Sequence, residues 1–206
     1  MNKKELDKST EERIKESARK VFHAKGFAAT RTRDIAEEAN INLALLNYYF
    51  RSKQKLFELI IMETLSGFFL SVSQVLNDPG SSIEQKIETL VSKYIDLLSN
   101  EPEIPTFVIG ELRSNPQLLL DRLPSRTLIF ESVFLQQFQE AIIQGKIEPI
   151  NPVHFIMNMV SMIIFPFMTK PVLKHVVGAN DAEFNALMQE RKKLIPIWIK
   201  RMLVKK

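Results

Sequence analysis

The chain of 206 residues contains no cysteine, which excludes disulfides and every thiolate metal site. The lack of cysteine suits a reducing compartment, and a cytoplasmic location is expected. Glycine is scarce, at six residues, and no Gly-rich phosphate loop or nucleophile elbow is present. The three histidines, His23, His154 and His175, stand alone, without the spacing of a metal site. No catalytic residue, metal or cofactor is therefore expected, and an all-α enzyme is the weaker alternative. The charged start, Met1 to Lys8, has no apolar run behind it, so no secretory signal is read. The most apolar stretch, Phe155 to Met168, is short for a bilayer span and contains Asn158, Ser161 and Pro166. No membrane partner is expected.

The charge that is present is unevenly placed. Residues 1–55 hold 13 Lys and Arg against 8 Asp and Glu, whereas residues 56–206 hold 15 against 16. The positive excess therefore sits in the first quarter of the chain. A basic head on a near-neutral body points to a polyanionic partner for the head.

Strand-like alternation is nearly absent and helical spacing recurs, so the fold is expected to be all-α, with nine or ten helices. A first helix is expected from Ser9, where Ser9 and Glu12 form a capping box, to Gly26. Ile14, Ala18, Val21 and Phe22 make its apolar stripe. Thr32 is expected to cap a short second helix with Ile35, Ala36 and Ala39 inward. Asn40 tolerates the left-handed conformation, and Asn42 caps a third helix that buries Leu46 and Phe50. A long helix follows from Ser52 to about Leu76, ended by Asn77-Asp78-Pro79-Gly80. Further helices are expected over about 83–98, to about Ser114, from Asn115-Pro116, and from about Pro124 to Gln144. Another runs from Asn151-Pro152 to about Phe165, and a last one from Asn180–Asp181 to about Val204, with Pro196 inside it. The expected division is a three-helix head over residues 1–52 and a helical body over 53–206.

Two short helices joined by Asn40-Ile41-Asn42 match a helix-turn-helix. In such a pair the second helix enters the major groove of double-stranded DNA. Leu43, Ala44, Asn47 and Tyr48 occupy its outer face, where Asn47 suits adenine and the apolar residues suit thymine methyls. Asn42 and Leu45 complete the expected DNA-binding segment. Thr32, Arg33, Tyr49 and Lys53 are placed for phosphates, and Arg33 also reaches far enough for a guanine.

At these residues the chain resembles the TetR family of bacterial repressors. The likeness runs from Gly26-Phe27 through Thr30 and Thr32 to Ala39, then from Tyr48 to Phe57, about the first quarter of the chain. Two positions depart from the family pattern: Asn40 stands where Gly is usual, and Asn47 where Tyr is usual. The resemblance implies a transcriptional repressor that binds a palindromic operator as a homodimer. It also implies that the last two long helices make the dimer contact, and Phe155, Met159 and Ile163 on one, with Phe184, Leu187, Met188, Ile195 and Trp198 on the other, offer apolar stripes for it. It further implies a small effector held inside the body. Phe68, Phe107, Phe130, Phe134, Met157 and Met162, with Gln137 as a polar anchor, suggest a pocket for an apolar ligand. A DNA-binding regulator without a small ligand is the other reading the sequence leaves open.

Overall fold

The computed structural model describes residues 3–114, 116–121 and 126–203. Among these residues there are twelve helical segments and no strand, so the all-α expectation holds and the count exceeds nine or ten. They are α1 (Lys3–Ala29), α2 (Thr32–Glu38), α3 (Leu43–Tyr49), α4 (Lys53–Asn77), α5 (Ile83–Asn100) and α6 (Ile104–Ser114). There follow α7 (Pro116–Leu120), α8 (Arg126–Phe130), α9 (Val133–Ile143), α10 (Pro152–Met168), α11 (Lys170–Val177) and α12 (Asp181–Leu203). The expected boundaries at Asn115, Pro124 and Val204 lie outside the described residues. Two compact units are formed by residues 1–67 and 68–206.

In the first unit, α1 begins at Lys3 rather than Ser9. The preceding Lys, Glu and Leu residues are good helix formers, so the helix runs through the serine without using it as a cap. Gly26 interrupts the helix at φ 74°, ψ 162°, a conformation that a side chain disfavours. The chain then makes one more turn to Ala29, closed by Thr30, whose N–H and hydroxyl both donate to the Gly26 carbonyl, at 3.3 and 2.8 Å. The core of this unit comprises Ile14, Ala18, Phe22, Ile35, Ala36, Leu46 and the first half of α4. Phe57 of α4 meets Phe22 at 5.1 Å and Phe27 at 4.5 Å. Glu63 accepts from the buried Lys15 at 2.7 Å, and Arg19 donates to Thr64 at 2.6 Å. These contacts carry the first unit past the expected boundary at residue 52.

By length and composition α4 would suffice to cross a membrane. Its Leu56, Phe57, Ile60, Ile61 and Leu65 are instead spent on this core. Near its middle, Ser66 donates to the Met62 carbonyl at 2.8 Å, and Gly67 follows in open space.

In the second unit, α5, α9, α10 and α12 share the core. Phe134 and Phe138 of α9 pack on Phe155 of α10, with centroids 5.9 and 5.1 Å away. The helix expected from Pro124 to Gln144 is broken at Glu131–Ser132. There the backbone of the buried Ser132 becomes extended and its side chain caps α9, accepting from Leu135 N–H at 3.3 Å. The α10 helix continues through Pro166 to Met168 instead of stopping before it. A proline inside a helix forfeits one hydrogen bond, and Pro166 is buried in return. The last helix has the expected start: Asn180 and Glu183 bond each other's backbone N–H in a reciprocal cap, at 2.8 and 3.0 Å.

The residues expected at a dimer contact are mostly core. Phe155, Ile163, Phe184, Met188 and Ile195 are all buried within the single chain. Met159 and Trp198 are half-buried, and Leu187 is exposed. The α10 helix is apolar on nearly all sides, so periodicity could not separate its inner stripe from its outer one. The outer stripe is Val153, Met157, Phe165 and Met168, and it continues onto Val172 and Val176 of α11.

Candidate nucleic-acid interface

The turn between α2 and α3 follows from three residues. Ala36 and Ala39 are small and buried, so the two helices can approach closely. Asn40 adopts φ 51°, the left-handed conformation expected for it, and is the one non-glycine with positive φ among the described residues. Ile41 N–H then donates back to the Ala36 carbonyl at 3.0 Å. Asn42 starts α3 as expected, its side-chain oxygen accepting from Leu45 N–H at 2.8 Å. Its side chain is thereby committed to the helix. The start of α2 differs from expectation. Arg31, not Thr32, is the cap residue, and Asp34 closes the turn by accepting from Arg31 N–H at 2.8 Å.

Leu46 faces inward and is buried, so α3 turns its opposite side to solvent. Ala44, Asn47 and Tyr48 are exposed there, and Tyr48 is 78% exposed. An aromatic ring left so open is unusual for a core residue. Leu43, Leu45 and Tyr49 are half-buried. Tyr49 packs edge-on against Tyr48 at 5.3 Å. Thr32 is half-buried and Arg33 exposed at the start of α2.

Lys53 departs from the role expected of it. Its ammonium donates to the carbonyls of Phe27 and Thr30, at 2.8 and 2.9 Å, and lies 4.3 Å from the centre of the Phe27 ring. It ties the start of α4 to the bent end of α1. Arg31, Arg51 and Lys55 are exposed cations in the same segment that the sequence reading did not assign. Their signal was their position beside the turn and at the α3–α4 junction.

Asp34 gives the head an acid-sensitive point. The Arg31 backbone N–H, and then Lys25 at 3.1 Å, hold its carboxyl below the ordinary value of 3.8. A depressed carboxylate stabilises the fold at pH above its unfolded value and loses that contribution as pH falls through its folded value. The head should therefore loosen below about pH 4. Asp34→Asn should flatten that limb of a melting-temperature profile; an unaltered acid limb would remove Asp34 as its source.

The residues expected to enclose an effector are not brought together around one cavity. Phe107 and Phe134 are buried in packing, and Phe68 stacks on Tyr94 at 4.8 Å. Burial pushes the Tyr94 hydroxyl up to about 12. Phe130 and Met157 are exposed, and Met162 is half-buried. Gln137 alone of the set lines a cleft of about 1020 Å³ between α5, α9 and α12. The i, i+4 aromatic spacing on α9 marks core packing.

Comparison with known proteins agrees with this geometry. The sequence model of the family described as bacterial regulatory proteins, tetR family, matches residues 14–60, which hold α2, α3 and the flanking parts of α1 and α4. The chain is 28% identical over 199 residues to the Bacillus subtilis protein named probable HTH-type transcriptional regulator YttP, with 93% of each covered. It is 31% identical over 102 residues to the HTH-type transcriptional repressor NicS of Pseudomonas putida, covering 50% of this chain and 48% of that protein. A solved structure from Mesorhizobium loti, assigned to the TetR family, superposes with a TM-score of 0.61 at 18% identity. It covers 96% of this chain and 98% of its own, and shares the fold. The chain is a helix-turn-helix transcriptional regulator whose residues 14–60 match the tetR family.

Proposed function

We propose that the protein is a repressor that binds a palindromic operator as a homodimer and is released by a small molecule bound in its body. The observation that carries this reading is the open face of α3, where Ala44, Asn47 and Tyr48 are exposed beside exposed Arg31 and Arg33. Asn47 presents a donor and an acceptor to adenine, and Ala44 and Leu43 suit thymine methyls. On this reading Arg33, Thr32 and Tyr49 contact phosphates and fix the register. The repressor NicS, similar over about half of the chain, supports the repressive sense.

Selection of bound sequences from random duplex DNA tests the reading. Two inverted half-sites with centres one helical turn apart (~34 Å) are expected. Asn47→Ala should relax the preference at a single base pair per half-site, by about 1–3 kcal/mol. Selected DNA without two-fold symmetry would overturn the dimeric operator, and no enrichment at low salt would overturn DNA binding by this face.

For the dimer, the outer stripe of α10 and α11 replaces the residues expected from the sequence. Phe165 is 61% and Val176 72% exposed, and a continuous open apolar stripe favours burial against a second copy. Sedimentation should give twice 23.8 kDa, and Phe165→Glu should return the protein to a single chain. A wild-type protein that sediments as one chain at micromolar concentration would remove this part of the reading.

Release follows from a population shift. A molecule that binds the body better in a state with the wrong α3 separation draws the protein off the operator, by as much as its affinities for the two states differ.

A further inference from the structure

We propose that the cleft between α5, α9 and α12 is a site for a dipolar small molecule of the amino-acid or short-peptide class, with an ammonium and a carboxylate on an apolar body. The cleft holds about 1020 Å³, at the upper end of the size range of ligand sites. Its floor is apolar and includes Ile87, Ala141 and Leu203. Its rims carry both signs of charge. Glu84 and Glu88 line it from α5 and Glu140 from α9, while Lys192, Lys193 and Lys200 line it from α12 and Lys146 from the segment after α9.

These groups form no ion pair with one another among the described residues. Among those residues Lys192 alone of the lining lysines is paired, with Asp96 of α5, which lies outside the lining. The acidic and basic groups that line the cleft are held apart from one another. A simple anion would face three carboxylates, and a simple cation would face the lysines. A wholly apolar molecule would strip water from both rims and return nothing. A molecule with both charges satisfies both rims and covers the floor.

Gln137 supplies the polar anchor. Its Nε2 donates to the Ser81 carbonyl at a long 3.2 Å. Its Oε1 is buried with no hydrogen-bond partner among the described residues. An acceptor left unmet inside a protein is costly, so a small turn of this amide toward a ligand N–H is favourable. That turn weakens its hold on Ser81, in the segment that joins α4 to α5. The same segment is adjoined by a second tie, since Asn77 at the end of α4 accepts from Val133 N–H of α9 at 3.3 Å. Occupancy of the cleft is thus felt directly at the end of α4. The link from there to operator release rests on the ligand-responsive reading above, whereas occupancy itself does not.

The test uses the full-length protein in calorimetric titrations with trileucine, N-acetyl-trileucine and trileucine amide. Trileucine is expected to bind saturably, and each blocked form about tenfold more weakly, since each loses one charged partner. Glu88→Gln and Lys200→Gln should each weaken trileucine by about the same factor while the circular dichroism and melting point stay those of the parent. Bound trileucine should speed hydrogen exchange at Gly80–Ser82. Absence of saturable binding, equal binding of all three peptides, or indifference to both substitutions would overturn the site. If trileucine binds as described but operator affinity is unchanged, the site stands and the release reading fails. If trileucine does not bind while another molecule releases the operator, the release reading stands and this site falls.

Discussion

Lys53→Met is expected to destabilise the head by about 2 kcal/mol, the scale of hydrogen bonds to a charged group. Two carbonyls at the bent end of α1 depend on this ammonium, those of Phe27 and Thr30. Carbonyls at a helix end have no partner within the helix and must find one elsewhere. The substitution also removes a cation from the face of Phe27, which itself packs on Phe22 and Phe57. DNA affinity should fall in the variant because fewer molecules have a formed head. The dependence of affinity on salt should then stay as in the parent. Arg33→Ala should behave in the opposite way, reducing the salt slope by about one with little change in melting temperature. Both are read from a binding isotherm at several salt concentrations and a urea melt. If Lys53→Met keeps full stability and flattens the salt slope, Lys53 is a phosphate contact after all, as the sequence suggests.

Lys86→Met should cost more, about 3 kcal/mol of global stability in a urea denaturation. This lysine is fully buried, with 0% exposure. Its ammonium donates to the carbonyls of Asp78 and Ser81, at 2.5 and 2.6 Å, and to the Ser81 hydroxyl at 3.0 Å. It organises the turn between α4 and α5 from inside, and the Asp78 carboxyl closes the same turn by accepting from Gly80 N–H at 3.0 Å. Methionine fills similar space but takes this donor from the Asp78 carbonyl and the Ser81 hydroxyl, and leaves the Ser81 carbonyl with only the long bond from Gln137. A loss below about 0.5 kcal/mol, the size of an ordinary surface change, would mean that water replaces the ammonium at no cost and that the turn holds itself.

The two lysines also show where sequence reading succeeds and where it stops. Local signals were legible because neighbours along the chain decide them. Asn40 in the left-handed turn and Asn42 capping α3 are settled within a few residues. So is the exposed face of α3, once Leu46 is assigned to the core. Lys53 and Lys86 find their partners through the tertiary fold or a loop reversal, and a lysine on a helix looks the same in sequence whether solvated or buried. The body was harder for a related reason. On α10 the inner Phe155 and Ile163 and the outer Met157 and Phe165 are chemically alike, so only packing distinguishes core from open surface. The aromatic residues of α9 suggested a pocket, but they fill the interior. The cleft that does exist is rimmed by charges, which are ordinarily read as helix surface.

Gly67 gives α4 the mechanical character of a shaft with one soft section. An exposed glycine inside a helix is less favourable than alanine by about 1 kcal/mol, and a serine bonded to the carbonyl four residues back tends to bend the helix. Ser66 and Gly67 place both effects together, at the point where one compact unit gives way to the next. A displacement imposed on the far end of α4 is partly absorbed as bending at this section. The helix should therefore resist bending less at this section than along the turns packed into the core of the first unit.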